Sequence, residues 1–398
     1  MFKIKTFTKS KKHLWLIVCI TILNALGMTI VLPLFPFLLN EYVSNNELAG
    51  TMSALVSVFA LCQFFAAPIF GALSDRYGRK PILILSLFGS VIGYLLLGMG
   101  GALWILFLGR IIDGLTAGNQ SALFAYISDS TEPEERGKWF GILGGAIGIG
   151  FMIGPAIGGF LGTYSITLPF YATAVVTLIS MLFTFFFLPE SLTQEKRSQH
   201  ISLKSMNTFS HFKEVLVIKK AKNLIVMGAF FYLGLGIWQF NTSIFLKEIF
   251  HWGPHFIGGV FMLVGICDIL SRVILLPIML KKWTEQTVGS IGLIGLSIGL
   301  GFLFFSSFHQ SIIYIAAAVA FIVLGEGLFD PSYNARLSVS VHENKQGVLQ
   351  GTNHSLQALY RVIVPLGAAF IYSFHPGAVF ALASLLMIFG LGLFSRLK

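Results

Sequence analysis

Apolar residues fall in long blocks along this chain, parted by short runs of glycine, proline and charge. Twelve blocks stand out, at about 14–39, 50–72, 82–99, 103–126, 138–162, 166–188, 223–246, 256–280, 287–306, 311–338, 346–372 and 375–395. Most run for about 20 to 25 residues, enough for a helix to cross roughly 30 Å of hydrocarbon. Each block predicts one membrane-spanning helix. The first is too long for a removable signal peptide and lacks the small-residue cleavage site of one.

Composition fixes the class. Of 398 residues, 55% are hydrophobic and 11% charged, against about 25% charged in a typical soluble domain. Mean hydropathy is +0.81. A soluble fold of this size cannot hide so much apolar surface, so the expected fold is an all-α polytopic membrane protein with twelve transmembrane helices. The one long polar interruption, Pro189–Lys222, opens with PESLTQEKRSQH. It sets the expected organisation: a six-helix bundle over 1–190, a linker loop over 191–222 and a second six-helix bundle over 223–398. Sliding the chain by 210 residues lays Arg136–Phe160 on Gln346–Phe370. Gly137 then meets Gly347, Gly141 meets Gly351, Pro155 meets Pro365, and Gly158–Gly159 meets Ala368–Ala369. The fifth and eleventh helices read as copies, which makes the bundles pseudo-symmetric. Repeated halves with a site between them are how many transporters are built, although a duplicated channel fits the same pattern.

The net charge of +10 is a topology signal. If twelve spans alternate, one side holds Lys3, Lys5, Lys9, Lys11, Lys12, Arg76, Arg79, Lys80, Arg136, Lys138 and the run from Lys196 to Lys222. It also holds Lys281, Lys282, Lys345, Arg396 and Lys398, whereas the other side holds Lys247. Positive charge stays inside, so both termini are expected in the cytoplasm and the chain in the cell membrane. No basic soluble face is left for nucleic acid. Cys19, Cys62 and Cys267 lie inside predicted spans and read as small core residues. The N-x-S/T matches at Asn119, Asn241 and Asn353 lie there too and are not glycan sites.

GALSDRYGRKPI (Gly71–Ile82) concentrates Asp75, Arg76, Arg79 and Lys80 in a turn between the second and third spans. Gly78 permits the bend, and Pro81 suits the first turn of a helix. Orientation accounts for the three cations. Acids contribute little to it, so Asp75 is expected in a charge network at the cytoplasmic mouth, with Asp129 at the end of the fourth span facing it.

That loop closely resembles the signature of the major facilitator superfamily, G-x-L-a-D-r-x-G-r-k. RIIDGLTAG (Arg110–Gly118) is similar to the superfamily's fourth-helix motif, an arginine followed four residues later by glycine. GFMIGPAIGG (Gly150–Gly159) is similar to the fifth-helix motif of its antiporter branch, g-x-x-x-G-P-x-x-G-G. Together with AYISDSTEPEERGKWFG, these stretches make the chain resemble twelve-helix drug:proton antiporters of the tetracycline-efflux type, strongly over 14–190. After 223 the likeness weakens, and PIMLKKWTEQ stands as a degraded copy of the loop. The resemblance implies that Asp75, Arg76 and Arg79 latch the two halves on the cytoplasmic side. It also implies that Arg110 faces a central cavity and takes part in proton coupling, with Asp113 exchanging the proton. Such relatives usually carry an aspartate in the first helix, where this chain has Asn24. Asn24 can hydrogen-bond a ligand but carries no proton, so under the family mechanism coupling moves to Asp113 or Glu326.

Gly150, Gly154, Gly158 and Gly162 recur every four residues and leave one helix face bare, which lets backbones approach closely; Gly159 adjoins the stripe. Pro155 removes one backbone donor and adds a bend. Tight packing alone accounts for such a stripe. The functional alternative is that this face meets the eleventh helix of the other half, where rocking occurs.

Ionisable groups at bilayer depth are costly and usually functional. Here they are Arg110 and Asp113, Asp268 and Arg272, Glu326 and Asp330, and His354 and Arg361. The first two pairs share a helix face and can each satisfy themselves. Glu326 and Asp330 in GEGLFDP lie one turn apart with no cation in that stretch, beside Gly325, Gly327 and Pro331. An unwound segment lining a cavity is expected there, or else fraying that wets Asp330. Trp238, Gln239 and Asn241 suit an amphipathic ligand, although packing explains them equally. With Asn24, Gln120, Glu326 and Arg361 they form the expected substrate site. Trp15, Trp104 and Trp252 read as interface anchors.

The expected function is secondary active export of a small amphipathic molecule in exchange for protons by alternating access. Export of an endogenous metabolite, such as a metal-chelating or sugar-like compound, is the alternative. No HExxH, GxSxG or Cys/His cluster points to an enzyme, and no GxxxxGK[ST] to nucleotide-driven pumping. The expected partners are a small-molecule substrate, protons and the lipid bilayer. No cofactor is expected beyond the proton gradient, no metal site, and a monomer.

Overall fold

The computed structural model describes residues 12–198, 218–341 and 346–396. Lys3, Lys5, Lys9, Lys11, Lys345, Lys398, linker positions 199–217 and the side chain of His354 lie outside the described residues. Within them every regular element is helical. In order these are α1 (Lys12–Ile30), α2 (Asn45–Tyr77), α3 (Arg79–Met99), α4a (Leu103–Leu115), α4b (Asn119–Ser130), α5 (Pro133–Leu161) and α6 (Leu168–Phe187). After the linker come α7 (Lys219–Phe250), α8 (Pro254–Leu270), α9 (Glu285–Ser306), α10 (Ile312–Ser338), α11 (Gln346–Tyr372) and α12 (Ala378–Arg396).

All twelve apolar blocks are helical, and several helices outrun their blocks on polar ends. α2 starts five residues early because Ser44 and Glu47 form a capping box, with Ser44 Oγ donating to Glu47 Oε2 at 2.8 Å. α9 starts at a Thr284 cap that accepts from the Thr287 amide. Pro33 and Pro36 tighten the end of the first crossing into a 3₁₀ turn (Leu32–Leu34) and a short helix (Phe35–Leu39).

Besides that turn in the first, two more crossings among the described residues are irregular, and neither is the one expected. The fourth breaks between Leu115 and Asn119. Thr116 Oγ1 turns back onto the Ile112 carbonyl at 2.8 Å, competing with the helix ladder. Ser86 of α3 repairs the break by accepting from the Gly118 amide at 3.1 Å and donating to the Thr116 carbonyl. The eighth crossing continues from α8 through a wide π-helical turn, Ser271–Leu275, to Leu276–Leu280. α10, by contrast, runs unbroken through Glu326, Asp330 and Pro331. Its glycines serve close approach: Gly325 lies against the Gly292 carbonyl of α9, and Gly327 against Ser271 Oγ.

Two halves are apparent in the packing. α1 lies on α5 and α6, and α3 on α4a and α6; six elements later α7 lies on α11 and α12, and α9 on α10 and α12. The halves meet through α5 on α8 and through α2 on α11. The expected meeting of α5 with α11 is therefore wrong. These two are copies in equivalent places, so a two-fold sets each against the copy of the other's neighbour. Most of the glycine stripe faces inside the first half: Gly150, Gly154 and Gly158 press on Ala25, Thr29 and Ile30 of α1. Other members of the motif cross to α8: Gly159 lies against Pro254 and Gly258, Gly258 also touches the Pro155 carbonyl, and Gly265 abuts Met152.

The contacts between halves gather on one face. Ser53 Oγ donates to the Pro365 carbonyl at 2.8 Å, Ser57 Oγ to the Val362 carbonyl at 2.9 Å, and Lys247 Nζ to the Pro36 carbonyl at 3.1 Å. Toward the other face, which carries the basic loops, Gly137, Gly141, Gly144, Gly145 and Gly148 of α5 have open space where a side chain would stand. The bundles are sealed at the far face and part toward the basic one.

Candidate functional site

At the basic face, Gly78 ends α2 with φ of 109°, a conformation glycine tolerates best. Arg79, the first residue of α3, reaches Asp75 Oδ1 at 2.6 Å and Asp129 Oδ2 at 2.8 Å, and its guanidinium also donates to Ser74 Oγ. Asp129 thus joins the loop network as expected from sequence. Glu190, which sequence reasoning passed over, caps α3 by accepting from the Arg79 and Lys80 amides at 2.9 and 3.1 Å. Arg76 takes no part; it is exposed and lies over the Tyr77 ring. All these partners belong to the first half, so the cluster braces one bundle here and does not latch two.

A prediction separates the two arginines. Removing a charge-assisted donor costs about 1.5–3 kcal/mol per bond, discounted here because Asp75 is half exposed. Arg79→Gln should lower the thermal unfolding midpoint in detergent by several degrees, and Arg76→Gln should leave it in place. Equal shifts would contradict the assignment.

Deeper in the first half, Arg110 and Asp113 are 7% and 4% exposed. Arg110 Nη1 lies 3.3 Å from Asp113 Oδ2, and Ser90 Oγ donates to Asp113 Oδ1 at 2.7 Å. The guanidinium sits 3.9 Å from the centre of the Phe59 ring and 5.3 Å from that of Phe35, a cation–π arrangement. Its Nε has no hydrogen-bond partner among the described residues. Gly93 of α3 opposes the Asp113 Cβ and draws the helices together. The pair is shut away from the open side.

In the second half the structure merges what the sequence kept apart. Arg272, in the π-helical turn, pairs with Asp268 Oδ1 at 2.7 Å, Asp330 Oδ2 at 3.1 Å and Glu326 Oε1 at 3.8 Å. Asp268–Arg272 is thus no self-contained pair, and Glu326 and Asp330 do have a cation. It comes from the neighbouring helix, which close packing at Gly327 and Ser271 brings alongside. Asp330 Oδ1 also accepts from Asn334 Nδ2 at 3.0 Å and from the Tyr232 hydroxyl at 3.4 Å. Three carboxylates therefore share one guanidinium, and Glu326 has the longest contact and the least exposed side chain.

The ligand-binding candidates divide. Asn24 Oδ1 accepts from Asn119 Nδ2 at 3.1 Å, tying α1 to the first residue of α4b. Gln120 beside it is exposed. Trp238 and Asn241 are buried in the core, and Asn241 Nδ2 bonds back to the Ile237 carbonyl. These two are packing residues, held between helices rather than facing the gap. Gln239 is exposed and shares a helix face with Tyr232, seven residues earlier. Arg361 is exposed as well. Among the described residues no group of His, Cys, Asp and Glu is arranged to hold a metal ion. Of the participants missed by sequence reasoning, Asp268 and Arg272 were visible as interior charges, whereas Tyr232, Asn119, Asn334 and Glu190 carried no signal.

A family model described as Major Facilitator Superfamily matches residues 17–365. Tetracycline resistance protein, class H, of Pasteurella multocida is 34% identical over 366 residues, covering 91% of this chain and 90% of that protein. Multidrug resistance protein 2 of Bacillus subtilis (strain 168) is 30% identical over 378 residues, covering 92% and 90%. Among solved structures, the nucleoside transporter NupG matches with a TM-score of 0.77 at 14% identity, covering 97% of this chain and 99% of that one. The human organic anion transporter MFSD10 (TETRAN) matches with a TM-score of 0.72 at 21% identity, covering 97% and 100%. At these identities the structures speak for the fold alone.

Proposed function

The chain belongs to the Major Facilitator Superfamily, and from that premise we propose that it is a secondary active transporter exporting a small amphipathic molecule in exchange for protons. It is a multi-pass membrane protein whose halves, 1–190 and 223–398, rock about a central site while 191–222 links them. The basic face is cytoplasmic, so the conformation with that side parted is the inward-facing one. Relatives named for tetracycline and multidrug resistance support export of drug-like compounds.

The observation that carries the proposal is the Arg272 cluster. Three carboxylates around one cation hold a surplus of negative charge where ionisable groups are expensive. Protonating one relieves repulsion among the others, and a basic group on a substrate does the same. Proton and substrate thus compete for one cluster, which is the requirement for exchange. Glu326 and Asp330 bind the proton, Arg272 and Asp268 set the field around them, and Arg110 with Asp113 holds the outer part of the first half. Asn24, Gln120, Gln239, Glu326 and Arg361 contact the substrate, and Asp75, Arg79 and Asp129 brace the cytoplasmic mouth. No cofactor is needed beyond the proton gradient, the working unit is a monomer, no covalent chemistry is performed and nucleic acid is no partner.

Purified protein in vesicles enclosing a pH-sensitive dye tests this directly. Adding tetracycline or other amphipathic amines should move protons against the direction of substrate flow. Absence of proton movement across a broad panel would overturn the exchange mechanism.

A further inference from the structure

We propose that the transported molecule carries an acidic as well as a basic group, and that Arg361 binds the acidic one; this rests on the transport function proposed above and names its substrate class. Arg110 is taken by Asp113, and Arg272 is shared by three carboxylates. Arg361 has no ion-pair partner among the described residues, and it is exposed.

Where it is exposed follows from the turn of α11. Ile363, Leu366 and Phe370, each more than half exposed, define the face turned to lipid. Arg361 lies on the opposite face at 3.6 residues per turn, in line with Val364, Pro365 and Ala368. Of those, Pro365 lies at the seal, its carbonyl accepting from Ser53, whereas Val364 packs against Gly236 of α7 within the same half and Ala368 is buried. Arg361 stands at the cytoplasmic edge of that seal, next to Val362, whose carbonyl accepts from Ser57, and it is exposed where the halves begin to part. An unpaired guanidinium at this depth is costly to keep, and its planar fork matches a carboxylate.

The neighbours complete the argument. Tyr232 lies on α7, which packs on α11, within electrostatic reach of Arg361, and its hydroxyl meets Asp330 Oδ1 at 3.4 Å. Tyr232 therefore links the cluster with surplus negative charge to the side of a cation that has no ion-pair partner among the described residues. The inner surface of the second half is dipolar, and a zwitterion matches it at both ends. Its basic end competes with protons at Glu326 and Asp330, whereas its acidic end anchors on Arg361 and leaves the exchange logic intact. A purely anionic substrate would be repelled by the ionised cluster, and a purely cationic one would leave Arg361 without a counter-charge.

Ciprofloxacin, a piperazinyl carboxylate, its ethyl ester and its N-acetyl derivative supply zwitterion, cation and anion on one fluorescent scaffold. Binding to the purified full-length protein should favour the zwitterion at least about tenfold over either derivative, a difference of about 1.4 kcal/mol. Arg361→Gln should erase the preference for acid over ester, Arg361→Lys should keep much of it, and Glu326→Gln, which leaves Arg361 in place, should weaken binding of acid and ester alike, keep their ratio, and lose proton movement. The lysine variant guards against a glutamine variant that fails to fold. Equal binding of all three, binding of none, or an unchanged ratio in Arg361→Gln overturns the proposal. Proton movement with no charge preference would sink this inference and spare the exchange mechanism. Charge preference without proton movement would do the reverse.

Discussion

Glu326→Gln should fold, still bind substrate through Asp330 and Arg361 though more weakly, and move almost no protons: at saturating substrate in vesicles the substrate-driven proton signal is expected to fall by about a hundredfold, the scale at which a positioned proton carrier matters. The glutamine keeps the size of the side chain. Arg272 keeps its two shorter contacts, to Asp268 and Asp330, and loses only the one at 3.8 Å. What disappears is a titratable group that no closer partner holds in the charged form. Asp113→Asn should fail differently. Its carboxylate answers Arg110 in a buried site and accepts from Ser90, so neutralising it strands a guanidinium whose Nε has no hydrogen-bond partner among the described residues. Breaking a buried pair costs about 3–5 kcal/mol, and the amide still accepts hydrogen bonds, so the lower end is expected. The readout is a lower unfolding midpoint and poorer yield in detergent rather than selective loss of coupling. If Glu326→Gln moves protons normally, the proton carrier has been misassigned. If Asp113→Asn unfolds like the parent, the pair does not hold its half together.

Sequence made the crossings plain because each apolar block must satisfy its own backbone in lipid, and only a helix does so. The ends were less legible, since Ser44, Glu47 and Thr284 stabilise helix starts through side-chain oxygens that no hydropathy window counts. The breaks were misplaced for a related reason. GEGLFDP has the glycines and proline of a broken helix, yet packing on Ser271 and Gly292 holds it straight. TAGN broke because Ser86, thirty-two residues before Gly118, offered the replacement hydrogen bonds. The charge cluster was half legible. Every member stood out as an ionisable residue inside a span, but that one guanidinium serves acids on two helices depends on which helices touch. A repeat reveals which helices are copies without saying which ones meet, and so the α5–α8 contact had to come from the fold.

That contact yields the second large effect. Gly258→Leu should hold the transporter away from the externally closed state. A Cβ at Gly258 would fall 2.5 Å from the Pro155 carbonyl oxygen and 2.9 Å from Gly159 Cα, where neither side is a flexible chain end. The strain exists only while α5 and α8 are in contact, so it raises the closed state alone. At about 1–3 kcal/mol for overpacking, the balance shifts by about 5- to 150-fold. Gly158→Ala is the contrasting case. Its added methyl would strike the Ile30 carbonyl of α1, inside a single half, and should cost stability in every conformation. A reporter is available at Ser57, buried at the seal opposite Val362. With Cys19, Cys62 and Cys267 replaced by serine or alanine, Ser57→Cys should resist an impermeant maleimide added outside cells, and Gly258→Leu should make it react several-fold faster while transport drops. Unchanged labelling with lost transport would mean that leucine damages the bundle rather than biasing it. Faster labelling would show that α2–α11, which shares no residue with the substitution, opens together with α5–α8, as two seals related by one two-fold must.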